Sequence, residues 1–227
     1  MPGTLKDLTE WAEGCLPGEE SRARSTIKTL READLFTSGP RGRHAPFMKL
    51  TDFSTAILGV LQHGPATKAH EAVLRLWGLP LSLLTLEGDG STASAAPENV
   101  SPDATWPFIG PFFGGNYERK NGFAQTNLIE ALTSIFDSYA SRHDFSPYDF
   151  IRLEAAGDDE AVTIALHQER FADPWPEGPG SYGVELRFGA VHVGSGRAIT
   201  TTRTLRADAL NALAPMIPTF SRGGDDG

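Results

Sequence analysis

Two stretches of this chain carry side chains suited to phosphate contact and base-edge reading. Arg22, Arg24 and Lys28 alternate with Ser21, Ser25 and Thr29 in the first, and Arg41, Arg43, His44 and Lys49 follow in the second, "GPRGRHAPFMKLT". Guanidinium and ammonium groups pair with phosphate oxygens, which positions a protein on a duplex. Short hydroxyl side chains let a helix approach base edges in the major groove. Between Arg22 and Lys49 seven Lys or Arg stand against two acids, a net +5 in a chain whose total is −9. Local potential decides where a polyanion docks, so a basic island on an acidic body is informative.

The elements that must hold these residues can be read from periodicity. "TLKDLTEWAEGCL" (4–16) reads as a helix with Thr4 as cap and Leu5, Leu8, Trp11, Ala12 and Cys15 as its apolar stripe. "SRARSTIKTLREADLF" (21–36) reads as a second helix. Ala23, Ile27, Leu30 and Asp34 share one side, and Ser21, Arg22, Ser25, Lys28, Thr29 and Glu32 the other. Leu35 and Phe36 leave it as a short strand, "TSGPRG" turns, and "APFMKLT" returns as a strand. A third helix capped by Thr51 or Asp52 and a fourth over 66–79 complete the region. Residues 88–118, rich in Gly, Pro, Ser and Ala, read as a linker or loop, with aromatics such as Trp106 in its second half. Beyond it come a long helix over 123–143, strands over 148–156, 161–171, 181–193 and 197–205, and a short final helix. "GDDE" at 157–160 is a hairpin turn.

The span "LKDLTEWAEGCLPGEESRARSTIKTLREADLFTSGPRGRHAPFMKLT" resembles the broad winged helix-turn-helix regulator superfamily over residues 4–63. "LREADLF" is its most specific fragment, and Asp34 stands where that pattern usually has glycine. The resemblance implies a recognition helix over 21–32, a basic wing over 39–44, double-stranded DNA as partner, and dimers that read two half-sites. Fold class is then α+β: an N-terminal winged helix-turn-helix, followed by a C-terminal domain with a long helix and a four-stranded antiparallel sheet. The division is 1–87 for the DNA-binding region, 88–118 for the linker, and 119–227 for dimerisation, partner or ligand binding. The expected function is a cytoplasmic, sequence-specific DNA-binding transcriptional regulator, a homodimer without catalytic activity, with a possible protein partner for its acidic C-terminal domain. Two alternatives stay open: a winged helix used for protein contacts, and an enzyme with a pocket near Trp106 and a perturbed group such as His167 or Glu169.

Other chemistries are less favoured by the residues. "GPFFGGN" lacks the Lys-Ser/Thr of a phosphate loop, and the six histidines show no metal-ligand spacing. Ser181 and Ser195 stand in no nucleophile-elbow context. No cofactor is expected. A single cysteine, Cys15, forbids an internal disulfide and sits at an apolar helical position. No stretch has the roughly 18 apolar residues of a membrane helix. The opening "MPGTLKDLTE" lacks a signal-like apolar core.

Overall fold

Thr4 starts the first helix, α1 (Leu5–Cys15), with a reciprocal cap: its hydroxyl accepts from the Asp7 N–H, and the Asp7 carboxylate accepts from the Thr4 N–H at 2.7 Å. The computed structural model describes residues 3–39, 46–88, 91–99, 126–140, 145–169, 181–193 and 200–217. The second helix, α2 (Glu20–Glu32), ends two residues before Asp34, the last residue expected on its apolar side. Asp34 takes a left-handed conformation, φ 55°, and the N–H groups of Asp34 and Leu35 bond back to the carbonyls of Arg31 and Leu30. This is the Schellman arrangement that usually recruits glycine.

The third helix, α3 (Leu50–Leu61), begins at Leu50 rather than at Asp52, and Asp52 acts from its first turn on the Lys49 N–H. Every residue from Asp52 to Leu61 is buried, so α3 is the central helix of the helical layer rather than an amphipathic surface helix. Gly59 allows this packing: a Cβ there would lie 2.7 Å from Leu30 Cδ1 on α2. The layer is completed by α4 (Ala69–Trp77), α5 (Leu128–Ala140) and α6 (Ala207–Leu213).

The strands are β1 (Leu81–Gly88), β2 (Ser91–Ala95), β3 (Phe150–Ala156), β4 (Asp159–Glu169), β5 (Ser181–Gly189) and β6 (Thr201–Arg206). They form one sheet in the order β2-β1-β5-β4-β3-β6, with every neighbouring pair antiparallel. Six strands replace the four expected from the sequence. The two additional strands form a hairpin whose second arm, "STASA", has small side chains and no apolar stripe. Among the described residues it joins the sheet only by pairing with β1, as an edge. The first residues assigned to a linker are therefore sheet. Gly157, at φ +66°, makes the turn between β3 and β4.

Alternation gives the sheet two faces. Leu84, Val184, Leu186, Phe188, Val162, Ile164, Leu166, Ile151, Leu153 and Leu205 join the helices in one hydrophobic cluster, which runs from Leu8 to Ile217. Thr85, Glu87, Glu185, Arg187, His167, Arg152, Glu154, Thr202 and Thr204 share the other face. The expected boundary at residue 87 falls inside the β1–β2 hairpin, and contacts cross it. Trp11 Nε1 on α1 donates to the Ala209 carbonyl on α6 at 2.8 Å. Among the described residues, no helix is long and apolar enough to cross a membrane.

The short strands expected on either side of the basic loop are absent from its described arms, 35–39 and 46–49. Pro46 has no N–H to give to a ladder, and its ring packs where a Cβ on Gly39 would sit, 3.0 Å away. The arms are tied instead to a third group. The buried Asp52 carboxylate accepts from the Thr37 N–H at 2.9 Å and from the Lys49 N–H at 2.6 Å. Met48, buried, adds a bond from its N–H to the Gly3 carbonyl at 3.0 Å.

Candidate nucleic-acid interface

Helix α2 buries Ala23, Thr26, Ile27 and Leu30 and turns Ser21, Arg24, Ser25, Lys28, Arg31 and Glu32 to solvent. The apolar side fixes the helix against α1 and α3, so the outward side is held by the core. Arg24, Lys28 and Arg31 fall at i, i+4 and i+7 along it. Arg31 is absent from the residues singled out on sequence grounds, although this spacing identifies it. Three acids on or beside the same surface are already engaged, Glu20, one turn before Arg24, by the Gly18 N–H at 2.8 Å. Arg24 Nε donates to Glu13 at 2.8 Å, and Lys28 Nζ lies 3.7 Å from Glu32. The Ser25 hydroxyl donates to the Ser21 carbonyl at 2.8 Å.

Two of the expected contact residues sit differently. Arg22 leaves the outward face and reaches α3, where its Nη2 donates to the Gln62 carbonyl at 2.6 Å and to the Gly64 carbonyl at 3.2 Å. It thereby satisfies carbonyls at the helix C-terminus that have no intrahelical donor. Thr29 is half-buried. Lys49 is exposed at the start of α3, beside Phe47, an apolar side chain that is 56% exposed. Arg41, Arg43 and His44 lie outside the described residues, as does Trp106.

A second polar group lies on the sheet. Asp149 is fully buried, and its Oδ1 accepts from the His167 backbone N–H at 2.6 Å and lies 3.3 Å from His167 Nδ1. Its Oδ2 accepts from the Ser146 N–H at 2.9 Å. Burial raises the Asp149 pKa despite these donors. With a proton on Nδ1, the ring would offer Nε2 as an acceptor, and that edge lies over Gly183. Exposed Tyr148 packs against the ring, with centroids 5.7 Å apart. The arrangement orients the imidazole and also ties the 146–149 turn to β4. Glu169 ends β4.

Cys15 is half-buried, and burial pushes its thiol up to about 12. It is protonated at neutral pH and a poor nucleophile. Among the described residues, no group of three His, Cys, Asp or Glu is placed to hold a metal. Compared with known proteins, the chain matches no family model, no curated protein and no solved structure.

Proposed function

We propose that this protein is a duplex-DNA-binding regulator whose reading surface is the outward face of α2. The observation that supports it is the row Arg24, Lys28 and Arg31, with Ser21 and Ser25 beside it, on a helix whose other side is locked into the core. The carboxylates beside Arg24 and Lys28 are no obstacle. Exposed ion pairs contribute about 0–1 kcal/mol, so a phosphate can take the place of Glu13 or Glu32. Arg22 drops out of the reading surface because α3 holds it, and Arg31 takes its place.

The basic loop serves as a second contact in this reading. Arg41, Arg43, His44 and Lys49 would touch the DNA backbone, on a loop whose arms Asp52 restrains. The winged-helix likeness is kept as a functional likeness, with a clamped loop in place of a stranded wing. Homodimers that span two half-sites, and a protein partner for the acidic remainder of the chain, belong to the same reading. No catalytic step is part of it.

Selection of bound sequences from a random duplex pool, followed by anisotropy titration across salt, tests the proposal. A regulator yields an enriched motif and an affinity that falls steeply with salt, because counterions are released. No enrichment, and no retention of any duplex by micromolar protein at low salt, would leave the interaction-module reading in its place.

A further inference from the structure

Arg22 of α2 and Arg203 of β6 converge at the C-terminal end of α3. Arg22 holds the carbonyls of Gln62 and Gly64, and Arg203 Nη1 donates to the Val60 carbonyl at 3.3 Å. The remaining end of each guanidinium meets one and the same oxygen. Arg22 Nη1 lies 3.0 Å from Glu19 Oε2, and Arg203 Nη2 lies 3.2 Å from it. Two cations thus face one carboxylate, and one positive charge is in surplus. The crowding registers on Arg203, whose pKa is lowered by burial first and by Arg22 second. His63, lowered by burial and then by Arg203, adds a neutral ring rather than a third charge.

Three residues of the elements that meet here carry buried polar side-chain atoms without hydrogen-bond partners among the described residues. Gln62 is 1% exposed, yet among the described residues neither its amide nitrogen nor its amide oxygen has a hydrogen-bond partner. Thr26 Oγ1, one turn beyond Arg22 on α2, and His63 Nε2 are buried in the same condition. Buried polar atoms are rarely left so, and a group of them asks for an occupant.

We infer that Arg22 and Arg203 form a cradle for a small oxyanion, a phosphate or carboxylate group, and that the Glu19 carboxylate is its internal occupant. Guanidinium forks match oxyanions in geometry and charge. The Glu19 side chain is half-exposed, so the occupant stands at the mouth and can swing out to solvent. Glu19 also links the start of α2 to β6 through Arg203, so exchange of the carboxylate for a ligand replaces an internal tie with a bridged one. The inference does not rest on the DNA reading, because it uses none of the outward residues of α2.

The test is titration of inorganic phosphate, and separately of acetate, into the full chain and into Glu19→Gln at fixed ionic strength, read by calorimetry. Removing an exposed competing carboxylate is expected to tighten binding of at least one of these anions about fivefold. Adding Arg203→Lys to Glu19→Gln is expected to abolish the gain. Circular dichroism shows that each variant is folded, and Arg203→Gln serves if the lysine variant is not. Equal affinities in the parent and Glu19→Gln overturn the inference, as does a double variant that binds like the single one. A short duplex is titrated in parallel. If Glu19→Gln tightens the duplex as well as phosphate, the anion is a backbone phosphate; if only free phosphate or acetate tightens, it is a small molecule.

Discussion

Replacing Asp52 by alanine tests how the basic loop is held. The carboxylate is 2% exposed and accepts two backbone N–H bonds, from Thr37 at 2.9 Å and Lys49 at 2.6 Å. A hydrogen bond to a charged group contributes about 1.5–3 kcal/mol net. Both donors sit near the surface, Thr37 half-buried and Lys49 exposed, so water can take over part of the loss. We therefore expect Asp52→Ala to cost about 2–3 kcal/mol, including the lost cap of α3. For a chain of this size that corresponds to a fall in Tm of roughly 4–12 °C. Asp52→Asn keeps one acceptor and should lose about half as much. Urea unfolding followed by far-ultraviolet circular dichroism measures the difference. A loss under about 0.5 kcal/mol for Asp52→Ala would show that the arms are held by something other than this carboxylate. Within the DNA reading, Asp52→Ala also weakens duplex binding, because the loop must then be ordered at the moment of contact.

Three further substitutions or conditions have defined outcomes. His63 is held below its ordinary value near 6.5, by burial and then by Arg203, so its neutral form belongs to the native state. Its contribution is complete above the ordinary histidine range and is lost as pH falls through it. His63→Gln should flatten the decline in thermal stability between about pH 7 and 5, and an unchanged slope refutes this assignment. Asp34→Gly should raise stability by about 0.5–1 kcal/mol, because glycine adopts φ 55° without a Cβ penalty; a loss would mean that the aspartate side chain earns its place. Cys15, with its thiol pushed up to about 12 by burial, should react with a thiol reagent at pH 8 far more slowly in the native protein than in urea.

The helical part of the fold was legible because its signals are local. Thr4 and Asp7 form the cap their spacing suggests, and the stripe Leu8, Trp11 and Ala12 is buried. Asp34, the misfit in "LREADLF", adopts the backbone conformation that the glycine of that pattern would supply. The sheet was half legible. Strands β3 and β4 announce themselves by alternation and a Gly-Asp turn, whereas "STASA" takes its strand character entirely from β1. Periodicity assigns a helix face but not the reach of a long side chain. Periodicity therefore places Arg22 outward, although the carbonyls at the end of α3, some 40 residues on, capture it. The Asp149–His167 contact was invisible for a similar reason: the two residues meet only when β3 and β4 pair.

The central claim is that the outward face of α2 binds DNA. It is tested most directly by measuring the salt dependence of duplex affinity for the parent and for the combined variant Arg24→Ala, Lys28→Ala and Arg31→Ala. Each lost phosphate contact should make the slope of log affinity against log salt shallower by about 0.9, so the variant should lose roughly 2–3 from the slope and bind weakly at every salt concentration. A variant that binds with the parent's affinity and the parent's slope would contradict the account.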